Sequence, residues 1–122
     1  MLAKNIQEQL AAMHPESTLK LTRLNQLSRE TTDVELLDLC SSYIDTMLRD
    51  LPWQPPNPLT DREKAFLNFA EQFMMAVSAI EDQQVAALMK YASADEIYCF
   101  VNALYVVDMT LRLNLVIGRV LK

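Results

Sequence analysis

Apolar residues recur along this chain at three- and four-residue intervals, with polar positions between them, and that spacing divides it into helices. Leu2, Ile6, Leu10 and Met13 form one stripe and predict a first helix from Leu2 to Met13. His14-Pro15 ends it, because the residue before a proline avoids the helical region. A second, shorter helix from Ser17 to about Leu27 carries Leu21, Leu24 and Leu27. The third, from Asp33 to Leu51, turns Leu36, Leu37, Cys40, Tyr43, Ile44, Met47 and Leu51 inward. The fourth, from Asp61 to about Ala79, buries Phe66, Ala70, Phe73, Val77 and Ile80. A short fifth spans Asp82 to Lys90, and the last runs from Ala94 to about Leu121, close to 40 Å at about 1.5 Å per residue.

Three of these starts carry a capping box. Thr32-Asp33-Val34-Glu35, Thr60-Asp61-Arg62-Glu63 and Ser93-Ala94-Asp95-Glu96 each set a hydroxyl at the N-cap and a carboxylate three residues on. The hydroxyl accepts from a free backbone N–H, and the carboxylate reaches back to the N-cap N–H.

The last helix is apolar on more than one side. Ile97, Phe100, Leu104, Val107, Leu111 and Leu115 make one face, and Ala103, Val106, Leu113, Ile117 and Val120 make a second. Two apolar faces need two covers. Either the rest of the chain wraps this helix completely, or a second subunit supplies part of the cover, and a chain of 122 residues has few helices to spare. The expectation is therefore a homo-oligomer formed through residues 94–121.

Composition narrows the picture further. The single glycine, Gly118, leaves almost no residue suited to tight hairpins, so the fold class is all-α, one compact multi-helix bundle over residues 1–122. Four of the five prolines lie in Pro52-Trp53-Gln54-Pro55-Pro56-Asn57-Pro58, a stiff spacer at 52–58 between two helical halves. The net charge of −5 is spread evenly, with 5 basic and 8 acidic groups in residues 1–58 and 6 and 8 in residues 59–122. Without a basic patch, nucleic acid is not an expected partner. The polar N-terminus does not read as a secretory signal, and the uncharged run from Ile97 to Val107 is short for a bilayer. The expected compartment is the reducing cytoplasm, with Cys40 and Cys99 as free thiols and no membrane partner.

Few residues suggest chemistry. Cys40 sits on an inward stripe with no basic neighbour one turn away to lower its pKa, so it reads as a small core hydrophobe before it reads as a nucleophile. Cys99, between Tyr98 and Phe100, reads the same way. His14 is the lone histidine, and no Cys-x-x-Cys accompanies it, so no metal or other cofactor is implied. Asp108 and Arg112 form an i,i+4 polar pair on an apolar helix, either an ion pair or the edge of a polar pocket with Asn102 and Tyr105. Glu71 borders the apolar face of the fourth helix, where a solvated carboxylate is more common than a buried base.

The segment Leu59-Thr60-Asp61-Arg62-Glu63-Lys64-Ala65-Phe66-Leu67-Asn68-Phe69-Ala70-Glu71-Gln72-Phe73, followed by Ser93-Ala94-Asp95-Glu96-Ile97, resembles the alkylhydroperoxidase D-like / carboxymuconolactone decarboxylase family. The likeness runs over roughly residues 32–121. It implies an all-helical fold that assembles into dimers, trimers or hexamers. Active members of the family reduce peroxides with a Cys-x-x-Cys pair flanked by histidine, served by a relay glutamate about three helical turns earlier. Glu35 resembles that glutamate, but the cysteine positions fall near Met47 and Asp50 and the histidine position near Gln54. Cys40 stands too close to Glu35 for the peroxidatic role.

The resemblance thus implies a degenerate, non-catalytic member acting as an oligomeric helical scaffold or a partner subunit. The rival expectation is a thiol-dependent peroxidase of antioxidant defence, or a small-molecule lyase, using Cys40 with Glu35 or an Asp108/Arg112 pocket. A third is a small-ligand module with its pocket between the fourth and last helices.

Overall fold

Local chemistry sets most helix boundaries. The computed structural model describes residues 2–121 and forms α1 (Lys4–Met13), α2 (Pro15–Glu30), α3 (Val34–Leu48), α4 (Asp61–Ala76), α5 (Asp82–Met89) and α6 (Ala94–Val120), with one 3-10 turn at Val77–Ala79 after α4. All regular structure among the described residues is helical, as the all-α expectation requires. Thr60 and Ser93 cap α4 and α6 through complete boxes with Glu63 and Glu96. The third box is corrected by one residue: Asp33, and not Thr32, is the N-cap of α3, and its carboxylate accepts from the Leu36 N–H at 3.2 Å. The same carboxylate also holds Arg62 at 3.0 Å, which ties the starts of α3 and α4 together.

Two further boundaries differ from the spacing rule. Pro15 opens α2 at its first position, where a missing N–H costs nothing, so this helix is longer than Ser17–Leu27. The third helix stops at Leu48, short of Leu51. Asp50 adopts φ 57°, and the Asp50 and Leu51 N–H groups donate to the Met47 and Thr46 carbonyls, forming a Schellman turn with aspartate where glycine is usual. Leu51, expected inside, is exposed as a result. Val77, also expected inside, is exposed in the 3-10 turn beyond the end of α4.

The principal core joins Leu36, Cys40 and Ile44 of α3 to Phe66, Phe69, Ala70 and Phe73 of α4, Leu88 of α5, and Phe100 and Leu104 of α6. Phe66 and Phe100 meet edge to face with centroids 4.8 Å apart, and Phe73 meets Tyr105 in the same way at 4.9 Å. Helix α6 also packs on α1, α2, α3 and α5, and so is the common partner of the bundle. The proline-rich spacer is fastened by Trp53, whose ring lies edge-on to Tyr43 at 5.1 Å and whose Nε1–H donates to the Ser42 hydroxyl at 3.2 Å.

Helix α2 faces inward with polar residues. Thr18 and Asn25 are its buried positions, whereas Leu24 and Leu27 point to solvent. Asn25 Nδ2 donates to the Leu21 carbonyl at 3.0 Å and to Thr110 Oγ1 of α6 at 3.3 Å, so the buried amide is partnered.

Gly118 lies inside α6, where glycine costs roughly 0.5–1 kcal/mol relative to alanine. An added Cβ there meets Ile6 Cδ1, the mobile end of a side chain, at 3.4 Å. Gly118→Ala is expected to stabilise the fold by up to ~1 kcal/mol, read as a higher urea midpoint. A loss of stability would mean that Ile6 cannot yield.

Candidate functional site

The residues proposed for thiol chemistry are kept apart. Cys40 is fully buried in the principal core. Burial, reinforced by the nearby Glu63 charge, pushes its thiol up to about 12, the reverse of what a nucleophilic cysteine needs. Glu35 is exposed in the first turn of α3, beside Asp33, Thr60, Arg62 and Glu63. Five helical residues place it about 140° around the helix from Cys40. Cys99 is a half-buried free thiol on α6.

The polar pair of α6 is formed, with Arg112 Nε donating to Asp108 Oδ1. Both side chains are partly exposed, so this is a surface ion pair, a class contributing about 0–1 kcal/mol. Glu71 lies near Tyr43, whose hydroxyl is held above its usual range by burial first and then by that carboxylate. His14 is an exposed residue at the joint between α1 and α2. Among the described residues, no group of three His, Cys, Asp or Glu side chains gathers as a metal ion would require.

What α6 does present is an outward apolar stripe that neither face named from the sequence contains. Its inner arc of Phe100, Ala103, Leu104, Val106 and Thr110 is spent on the bundle. On the opposite side Tyr98, Tyr105, Met109 and Val116 are 67%, 56%, 43% and 60% exposed. With Asn102 and Arg112 they follow the sequence 98, 102, 105, 109, 112, 116, alternating steps of four and three, the spacing of a coiled-coil seam. That alternation is legible in the sequence. What the sequence does not reveal is that α2 and α3 cover the other faces. Beside the seam, Leu24 and Leu27 of α2 and Cys99, Asn102 and Tyr105 of α6 line an open, mainly apolar cleft of about 480 Å³.

By length and composition α6 is also able to cross a membrane, and a third of its apolar window is buried. The short uncharged run from Ile97 to Val107 therefore does not describe the helix as a whole. A bundle's central helix passes the same criterion, and Asp108 and Arg112 interrupt the apolar sequence here.

No family model, no curated protein and no solved structure matches this chain.

Proposed function

We propose that this protein is a non-catalytic helical association module, working as a homo-oligomer or as a subunit on another helical protein, through the outward face of α6. The observation that carries this is the exposed apolar seam from Tyr98 to Val116, on a helix whose inner arc already anchors the bundle. Four large exposed apolar side chains on one helix face, broken by Asn102 and Arg112, mark an interaction site more readily than apolar residues scattered singly over a surface. The fully buried Cys40, far from a thiolate at neutral pH, supports a reading without thiol catalysis. A degenerate relative of the alkylhydroperoxidase D-like family, in the cytoplasm, fits the proposal, and the kinship rests on the sequence likeness of residues 59–73 and 93–97.

At micromolar concentration the chain is expected to sediment at no less than twice its 14.0 kDa. Met109→Glu, at an exposed position, should weaken that association at least tenfold while leaving helicity intact, because a carboxylate in an apolar seam must be desolvated. A chain that is monomeric at all concentrations and captures no partner overturns the proposal.

A further inference from the structure

We infer that the occupant of the α6 seam is a second copy of this chain, packed antiparallel about a two-fold axis level with Val107. The inference rests on the association reading above and adds its partner, orientation and register. The positions of the seam are symmetric about residue 107, so an antiparallel copy lays every outward residue on another outward residue. Tyr98 meets Val116 of the second copy, and Tyr105 meets its Met109, apolar on apolar. Asn102 meets Arg112, so the two polar residues of the seam face each other and the amide oxygen can accept from the guanidinium.

The ends of the helix agree. Asp95 lies in the first turn of α6 and Arg119 in the last. Antiparallel packing sets Asp95 of one copy beside Arg119 of the other, and each acidic N-terminal turn beside a basic C-terminal turn, which also opposes the helix dipoles favourably.

Parallel packing reverses all of this. Arg112 would face Arg112 and Asp95 would face Asp95, and like charges across a seam are destabilising. A lipid surface fits less well, since Asn102 and Arg112 lie within the stripe that would be immersed. In the antiparallel pair the cleft between α2 and α6, bordered by Leu24, Leu27 and Tyr105, opens beside Met109 of the second copy and offers it an apolar seat.

The test is disulfide trapping in the full chain carrying Cys99→Ser, with the buried Cys40 left in place. Tyr98 and Val116 are well exposed, so cysteine there should not disturb folding. The double variant Tyr98→Cys/Val116→Cys is expected to give a covalent dimer under mild oxidation. Tyr98→Cys alone is expected to give none, because its two copies would lie roughly 27 Å apart along the helix axis. A noncovalent dimer in which Tyr98→Cys alone cross-links, or in which the double variant does not, overturns the antiparallel register and leaves self-association standing. A chain that sediments only as a monomer, or that binds anionic vesicles without dimerising, overturns the second copy as occupant. Swapping charges in Asp95→Arg/Arg119→Asp should restore at least most of a tenfold loss seen in Asp95→Arg alone, and equal losses in both variants would remove the end-pairing.

Discussion

Phe100→Ala is expected to cost about 3–5 kcal/mol, the usual penalty for emptying a buried phenylalanine site. Phe100 is the point at which α6 enters the core. It is almost wholly buried, stacked edge-on with Phe66 and grouped with Leu104, Ile44 and Cys40. These neighbours belong to three different helices, so no single element can move in to fill the space. A loss of that size is a large part of the roughly 5–15 kcal/mol that holds a domain together, and the melting temperature should fall by on the order of 10 °C or more. The contrast is Met75→Ala on α4, at a position 70% exposed, which should change stability by no more than about 0.5 kcal/mol. Comparable losses in the two variants, measured by urea unfolding, would mean that the core is not centred where the phenylalanines meet.

The second large effect is the silence of Cys40. A thiol raised from 9.0 to about 12 holds roughly a thousandfold less thiolate at neutral pH, and burial denies access to what remains. In dilute native protein a soluble thiol reagent should therefore label Cys99 alone, with Cys40 reacting only after denaturation, and no peroxide turnover should accompany a dithiol reductant. Rapid labelling of Cys40 in the folded chain would contradict its burial.

The same shift gives an alkaline signature. The unfolded thiol loses its proton near 9, while the folded one keeps it to about 12. The unfolded state thus binds fewer protons across that window, and stability, complete below pH 9, declines as pH rises through it by roughly 1.4 kcal/mol per unit. Cys40→Ala should flatten that decline. Part of the slope will persist, because the Tyr43 hydroxyl, also held high by burial and Glu71, acts in the same direction.

The helices are largely legible in the spacing of apolar residues, and two of the three capping boxes form as the sequence spells them, Thr60 with Glu63 and Ser93 with Glu96. At the third, Thr32 and Asp33 are adjacent and either can cap, and the choice fell to Asp33, whose carboxylate also reaches Arg62 across the fold. Helix α3 ends at Leu48, before its apolar stripe does, because Asp50 fills a left-handed position that sequence normally signals with glycine. Helix α2 departs from its apolar spacing for a different reason. Its leucines suggested an inner face, but the face that meets α6 is set by a partnered amide and hydroxyl, Asn25 and Thr110, eighty-five residues apart. A match of that kind is invisible until both helices are in place. The α6 seam has its alternation in the sequence but not its orientation, because a helix with three apolar stripes carries no wholly polar stripe to mark its outside.

The central place of α6 also has a consequence for the growing chain. Five helices leave the ribosome before it, and the core surface of α3 has finished emerging some forty-six residues before α6 begins. At about 5–20 residues per second, that surface waits on the order of several seconds for Phe100 and Leu104. Through that interval the apolar surfaces of α3 and α4 that Phe100 and Leu104 cover in the folded chain have only each other and α5 for cover.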